Sequence, residues 1–138
     1  VRSPAQRGAG HELALLGLLS PWFAAYLALL LSGMYDLKPV RLSKRSTFVK
    51  FTDESEGALS AQRHLDRFRT PAILAYGTLE TPEFQRQSRD FASAATAAGK
   101  PVQLIVGKGY NHFELYETLG NPYGAMGRAA LEMMNLGA

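Results

Sequence analysis

Three short uncharged, mainly apolar runs, each stopped by a glycine, constrain this chain more than anything else in it. Leu27–Leu31 ends at Ser32-Gly33, Ala72–Tyr76 ends at Gly77, and Val102–Val106 ends at Gly107. A strand apolar on both faces needs cover on both faces. That is the condition of a parallel sheet flanked by helices, not of an antiparallel sheet with one wet face.

Helical patterns alternate with these runs. Thr81 reads as an N-cap with Pro82 at the first helical position, and the helix runs to about Ala98. Phe84, Phe91, Ala95 and Ala98 recur there at helical spacing, with Arg86, Arg89 and Asp90 elsewhere on the wheel. Gly99 sits where a C-terminal cap glycine belongs. Asn121-Pro122 repeats the cap-plus-proline signal before a last helix with Met126, Ala129, Ala130, Met133 and Met134 on one stripe, a core pattern. Ser60 is a candidate cap for a short helix Ala61–Phe68. Residues 36–60 read as a polar, irregular connection, of a length that is usually functional or mobile, and Lys108–Asn121 as a loop. The predicted order is helix, strand, long loop, strand, helix, strand, helix: one α/β domain over residues 1–138, with a parallel sheet of about three strands.

The beginning of the chain admits two readings. Residues 1–10 read as a loop. Leu13–Leu31 then forms an uncharged run of 19 residues, long enough for a membrane span. Ser20-Pro21 lies within that run, and Ser-Pro favours a turn. The preferred reading is therefore a buried helix over His11–Leu19, a turn, and the first strand; a membrane anchor is the alternative.

Composition narrows the function classes. With 46% hydrophobic and 20% charged residues, the chain has material for a core and is not of the disordered type. The net charge of +3, from 15 basic and 12 acidic residues, is small and spread out and argues only weakly for a polyanion partner. Its densest basic stretch, Arg41, Lys44, Arg45 and Lys50, has no interleaved aromatic stacking motif and reads as a solvated surface rather than a nucleic-acid site. The absence of cysteine excludes disulfides, thiolate metal sites and cysteine nucleophiles within the chain, and fits a cytoplasmic protein. His11, His64 and His112 lack metal-site spacing, so neither metal nor cofactor is expected.

Ligands of open α/β sheets bind beyond the carboxyl ends of the strands. Three loops lie there: Ser32–Leu37, Gly77–Glu83 and Gly109–Glu114. Each carries an ionisable group. A carboxylate after one strand and a histidine after the next can lie side by side, and a histidine held by a carboxylate is the base half of a nucleophilic triad. Each residue also has a plainer reading. His112 can be an ordinary loop histidine, Glu80 or Glu83 an acid favoured by a helix N-terminus, and Asp36 a turn residue. His64 lies in a charged stretch and reads as solvent-facing.

The segment Gly77-Thr78-Leu79-Glu80-Thr81-Pro82-Glu83-Phe84-Gln85-Arg86-Gln87-Ser88 resembles the acid-bearing segment of arylformamidase (kynurenine formamidase)-like esterases of the α/β-hydrolase superfamily. Gly109-Tyr110-Asn111-His112-Phe113-Glu114 resembles their histidine loop, and Ser32-Gly33-Met34-Tyr35-Asp36-Leu37 the segment after the preceding strand. These matches span about residues 27–138. The resemblance implies the C-terminal part of an α/β-hydrolase fold, with Glu80 as triad acid and His112 as base. The family more often has Asp at the acid position, and Asp36 is the fallback acid. It implies small carboxylic esters or aryl formamides as substrates.

The family's G-x-S-x-G nucleophile elbow is missing. In one register Gly8 occupies the serine position, in another Glu12. Ser20 and Ser32 are the nearest hydroxyls, and neither has the strand–turn–helix context of an elbow. Two functional expectations follow from the resemblance. One is acyl transfer with the serine supplied from elsewhere. The other is an inactive remnant serving as an interaction module, through homo-oligomerisation or a complementing N-terminal fragment.

Overall fold

The computed structural model, which describes residues 27–136, meets the covering that the apolar runs demand in full at Ala72–Gly77 and only in part at Ala28–Leu31 and Val102–Gly107, where Val106 is exposed. Strands β1 (Ala28–Leu31), β2 (Ala72–Gly77) and β3 (Val102–Gly107) pair in parallel in the order β1-β2-β3. The register aligns Ala28, Ala72 and Val102 in one row and Leu30, Leu74 and Leu104 in another, all on one face. Leu31, Ala75 and Ile105 align on the opposite face. All of β2 is buried, as a central strand covered on both sides must be. The initial run Leu13–Leu31 ends as β1, and its earlier part, with the predicted helix His11–Leu19, lies outside the described residues. Among the described residues no helix is long and apolar enough to cross a membrane.

Parallel neighbours need crossovers. The connection from β1 to β2 contains α1 (Lys38–Leu42), a 3₁₀ turn at Lys44–Thr47, α2 (Asp53–Leu59), and two further 3₁₀ turns at Ala61–Arg63 and Leu65–Arg67. The connection from β2 to β3 is α3 (Pro82–Ala97). Both crossovers cover the same face. Tyr35 stacks on Phe91 of α3 at 4.3 Å, and Phe68 meets the same ring edge-on at 5.7 Å. Beyond β3, α4 (His112–Glu117) and α5 (Ala125–Met133) cover the other face through Leu115 and Met126.

The structure revises several local expectations. No helix spans Ala61–Phe68. The Ser60 hydroxyl donates to the Glu56 carbonyl at 2.6 Å and accepts from the Leu37 amide at 3.0 Å, so Ser60 closes α2 instead of opening a helix. The connection taken as irregular contains α2, started by a capping box in which Thr52 and Ser55 satisfy each other's backbone N–H groups. His64 is half-buried, with Nε2 2.8 Å from the Gly57 carbonyl oxygen. Lys108–Asn121 is not all loop, because Asn111 and Glu114 form the capping box of α4. The last helix begins at Ala125 rather than at Pro122. Asn121 holds a turn there, its carboxamide oxygen accepting from the Tyr123 amide and its carbonyl from the Gly124 amide. The Met stripe is buried at Met126 and Ala129, whereas Met134 is past the end of α5 and exposed. Gly99 does cap α3 in the left-handed region at φ +68°. Thr81 occupies the N-cap position without a side-chain cap bond.

The long crossover is pinned by ion pairs. The Glu56 carboxylate takes Arg63 at 2.7 Å and Arg41 at 3.1 Å, and Arg41 also pairs with Asp53. The Arg63 hydrogen bond, aided by Arg41 and opposed by burial, holds the Glu56 carboxyl below its ordinary 4.5. A depressed folded-state value means that this contribution to stability is complete above about 4.5 and is lost as pH falls through the folded value. Melting temperature followed from pH 6 to pH 3 should therefore fall more steeply in the parent protein than in Glu56→Gln. Parallel slopes would mean that this cluster does not hold the crossover.

Candidate active site

The turn that follows β2 folds back on the strand's own end. The Glu80 amide donates to the Gly77 carbonyl at 3.1 Å, and Glu80 Oε1 accepts from the Gly77 amide at 2.7 Å. The Ser32 hydroxyl, just past β1, donates to the same oxygen at 2.6 Å. The Glu80 side chain has 0% exposure. A carboxylate so placed is tolerable only with its oxygens satisfied. Two donors meet Oε1, leaving Oε2 to face His112 Nδ1 at 3.0 Å.

His112 is the first residue of α4. The Asn111 carboxamide oxygen accepts from the Phe113 and Glu114 amides, and Glu114 accepts from the Asn111 amide. This capping box sets where the helix starts and hence where the imidazole emerges. The ring contacts Phe84 at 4.9 Å and Phe113 and Tyr116 at 5.4 Å each. Tyr116 ties α4 back to β1 by donating its hydroxyl to the Leu31 carbonyl at 2.7 Å. Burial, and secondarily the Glu80 charge, raise the Tyr116 hydroxyl above its ordinary value and keep it a donor.

The loops themselves are stitched together. The Leu79 amide donates to the Tyr110 carbonyl at 3.0 Å, and the Gly109 amide to the Thr78 hydroxyl at 2.9 Å. Gly77 is required by this approach, since a Cβ there would sit 2.1 Å from the Tyr110 carbonyl oxygen. With Glu80 ionised and accepting at Oε1, Nδ1 of a neutral His112 carries the proton. Nε2 then keeps a free lone pair, and no hydrogen bond engages it among the described residues. A neutral imidazole oriented this way can take a proton from a hydroxyl or a water.

The pairing predicted from the sequence, Glu80 with His112, is thus present as geometry. Asp36 is not part of it: its Oδ1 accepts from the Lys38 amide and faces Arg63 at 3.5 Å. Glu83 is engaged by Arg86 at 2.6 Å and Gln87 at 2.9 Å, and the Arg86 hydrogen bond lowers its carboxyl value. Gly8, Glu12 and Ser20 lie outside the described residues. Among the described residues no cluster of three or more His, Asp or Glu could hold a metal ion.

Sequence reasoning missed three contributors. One is Ser32, whose hydroxyl meets the acid. Another is Gln87, whose carboxamide oxygen holds the Tyr35 and Asp36 amides at 2.7 and 2.8 Å. The last is Arg45, whose guanidinium lies 5.7 Å over the Phe84 ring. Beside Phe84 is a cavity of about 260 Å³ walled by Met34, Pro39, Val40 and Arg45. Ser32 also has φ +50°, a left-handed conformation that costs a side-chain-bearing residue about 1–2 kcal/mol.

Two substitutions probe this arrangement. Glu80→Gln should keep Oε1 as acceptor and turn an amide N–H toward His112, inverting the imidazole to the Nε2–H tautomer. The cost in stability should be about 1–3 kcal/mol. Nitrogen-15 NMR of the histidine ring reads the tautomer, and an unchanged Nδ1–H form would contradict the geometry. Gly77→Ala should cost about 1–3 kcal/mol in chemical denaturation, because backbone must move to admit the methyl group.

No family model matches the chain. Two curated relatives named kynurenine formamidase do. The Danio rerio protein is 28% identical over 122 residues, and the Salmo salar protein 29% over 123. Each alignment covers 80% of this chain but 42% of the relative, so the chain spans about two fifths of their length. Among solved structures, the Pyrococcus horikoshii acylaminoacyl peptidase matches with a TM-score of 0.66 at 18% identity, covering 91% of this chain and 22% of that one. Thermogutta terrifontis esterase 2, in a form phosphoramylated by tabun, matches with a TM-score of 0.60 at 21% identity, covering 92% and 50%. The chain is therefore built on part of the α/β-hydrolase fold and is arylformamidase-like in sequence.

Proposed function

We propose that this chain supplies the acid and the base of an acyl-transfer hydrolase acting on small carboxylic esters or aryl formamides. One observation carries the reading: a fully buried Glu80 carboxylate, held on Oε1 by two donors, presents Oε2 to His112 Nδ1 at 3.0 Å. In the proposed reaction a serine hydroxyl attacks the substrate carbonyl while His112 Nε2 takes its proton. The imidazolium, stabilised by Glu80, then gives that proton to the departing alcohol or amine. Water repeats the sequence on the acyl-enzyme and releases the acid. The sequence has no G-x-S-x-G, so this reading requires the hydroxyl to come from outside the described residues. The cavity that Phe84 lines has room for a small acyl chain or a single ring, and the same Phe84 ring lies 4.9 Å from the His112 ring. The formamidase name of the relatives favours an amide among the substrates. The lack of cysteine accords with a cytoplasmic setting.

A second reading has its own support. β1 and β3 each have one unpaired edge among the described residues, and such edges accept partner strands. With no elbow in the sequence, the chain would serve as a module that dimerises or docks a complementing N-terminal fragment.

The two readings separate in one assay. Hydrolysis of p-nitrophenyl acetate by the purified chain should fall by about a thousandfold or more in His112→Ala if the base acts in acyl transfer. Equal rates in the two proteins would mean that no hydroxyl of this chain serves His112, and with a dimeric mass in solution would favour the interaction module.

A further inference from the structure

We propose that Ser32 is a positioning residue for the acid–base pair, its hydroxyl fixing the orientation of Glu80 and through it the proton on His112 Nδ1. The inference rests on Glu80 and His112 acting as the pair proposed above. Ser32 adopts φ +50° immediately after β1, where a glycine would be free of strain. Compared with glycine, a serine brings a Cβ, which this conformation disfavours, and one hydroxyl. That hydroxyl is spent on a single contact, Glu80 Oε1 at 2.6 Å. Backbone strain retained at one polar residue points to a use for its side chain.

The geometry specifies the use. Ser32 is buried, and the Glu80 side chain has no exposed surface, so water is not at hand to replace a lost donor. The Gly77 amide fixes Oε1 from the β2 side and the Ser32 hydroxyl fixes it from the β1 side. Held by two donors from different parts of the sheet edge, both on Oε1, the carboxylate cannot turn about its terminal torsion without breaking them. Oε2 is thereby committed to His112. The Ser32 amide itself continues the sheet ladder by donating to the Ala75 carbonyl at 2.7 Å, so the hydroxyl is referenced to the sheet and not to a loose loop. Ser32 touches no part of the imidazole in the described contacts; it acts through Glu80.

The test reads the imidazole directly, without substrate. The neutral tautomer ratio of His112 is measured by nitrogen-15 NMR in the parent chain, in Ser32→Gly and in Ser32→Ala. Ser32→Gly removes the hydroxyl and relieves the backbone, so the fold survives. Ser32→Ala removes the hydroxyl and keeps the Cβ. In both, the ratio of Nδ1–H to Nε2–H should fall about fivefold or more, while the melting temperature of Ser32→Gly stays near the parent's. An unchanged ratio in Ser32→Gly overturns the role of Ser32, whatever the chain hydrolyses. A lack of esterase turnover with the ratio shifted would instead count against the acyl-transfer reading alone.

Discussion

A carboxylate with no exposed surface sets the terms for this structure. Removing Glu80 from water is costly unless every oxygen finds a donor. The donors come from separate elements: a hydroxyl beyond β1, an amide at the end of β2, and an imidazole opening α4. Those elements must therefore end at the same height along the sheet. The parallel register ensures this, since Leu31, Ala75 and Ile105 are partners and the chain leaves all three strands on the same side. An antiparallel pairing would send neighbouring strand ends apart.

The two hydrophobic clusters lie on opposite faces of the sheet. One lies under the crossovers, around Tyr35 and Phe91; the other lies under α4 and α5, around Leu115 and Met126. Tyr116 packs with the second cluster and bonds to the end of β1, so the packing of α4 and the placement of His112 are one event. A mutation in the Leu115–Met126 cluster would act on the base without touching it.

Much of this was legible in the sequence, for a definite reason. Apolar runs closed by glycine report strands because strands flanked by helices carry no charge along their length, and Gly99 reports the end of α3 because φ +68° suits glycine. That a carboxylate and a histidine could meet was legible because both stand just past neighbouring strands; the choice of Glu80 over Glu83 and Asp36 came from the resemblance of Gly77–Ser88 to the acid-bearing segment of arylformamidase-like esterases. Short helices were not legible. The helices α1, α2 and α4 span 5, 7 and 6 residues, too few for an apolar period to emerge. The signals of α2 and α4 are capping boxes, Thr52 with Ser55 and Asn111 with Glu114, which are read only if sought, and α1 has no side-chain cap. The role of the Ser32 hydroxyl was hidden more deeply, because nothing in Leu31-Ser32-Gly33 announces which residue takes the left-handed turn. Asp36, equally placed by sequence, is drawn away by Arg63 on the crossover.

The walls of the cavity beside Phe84 belong to regions held by different forces. Phe84 and Gln87 stand on α3, whose apolar face is locked into the core by Phe91 and Ala95. Pro39, Val40 and Arg45 stand on the crossover segment that Glu56 anchors through Arg41 and Arg63. Electrolyte weakens the second kind of hold and leaves the first nearly untouched. The cavity thus has one wall set by packing and another set in part by charge.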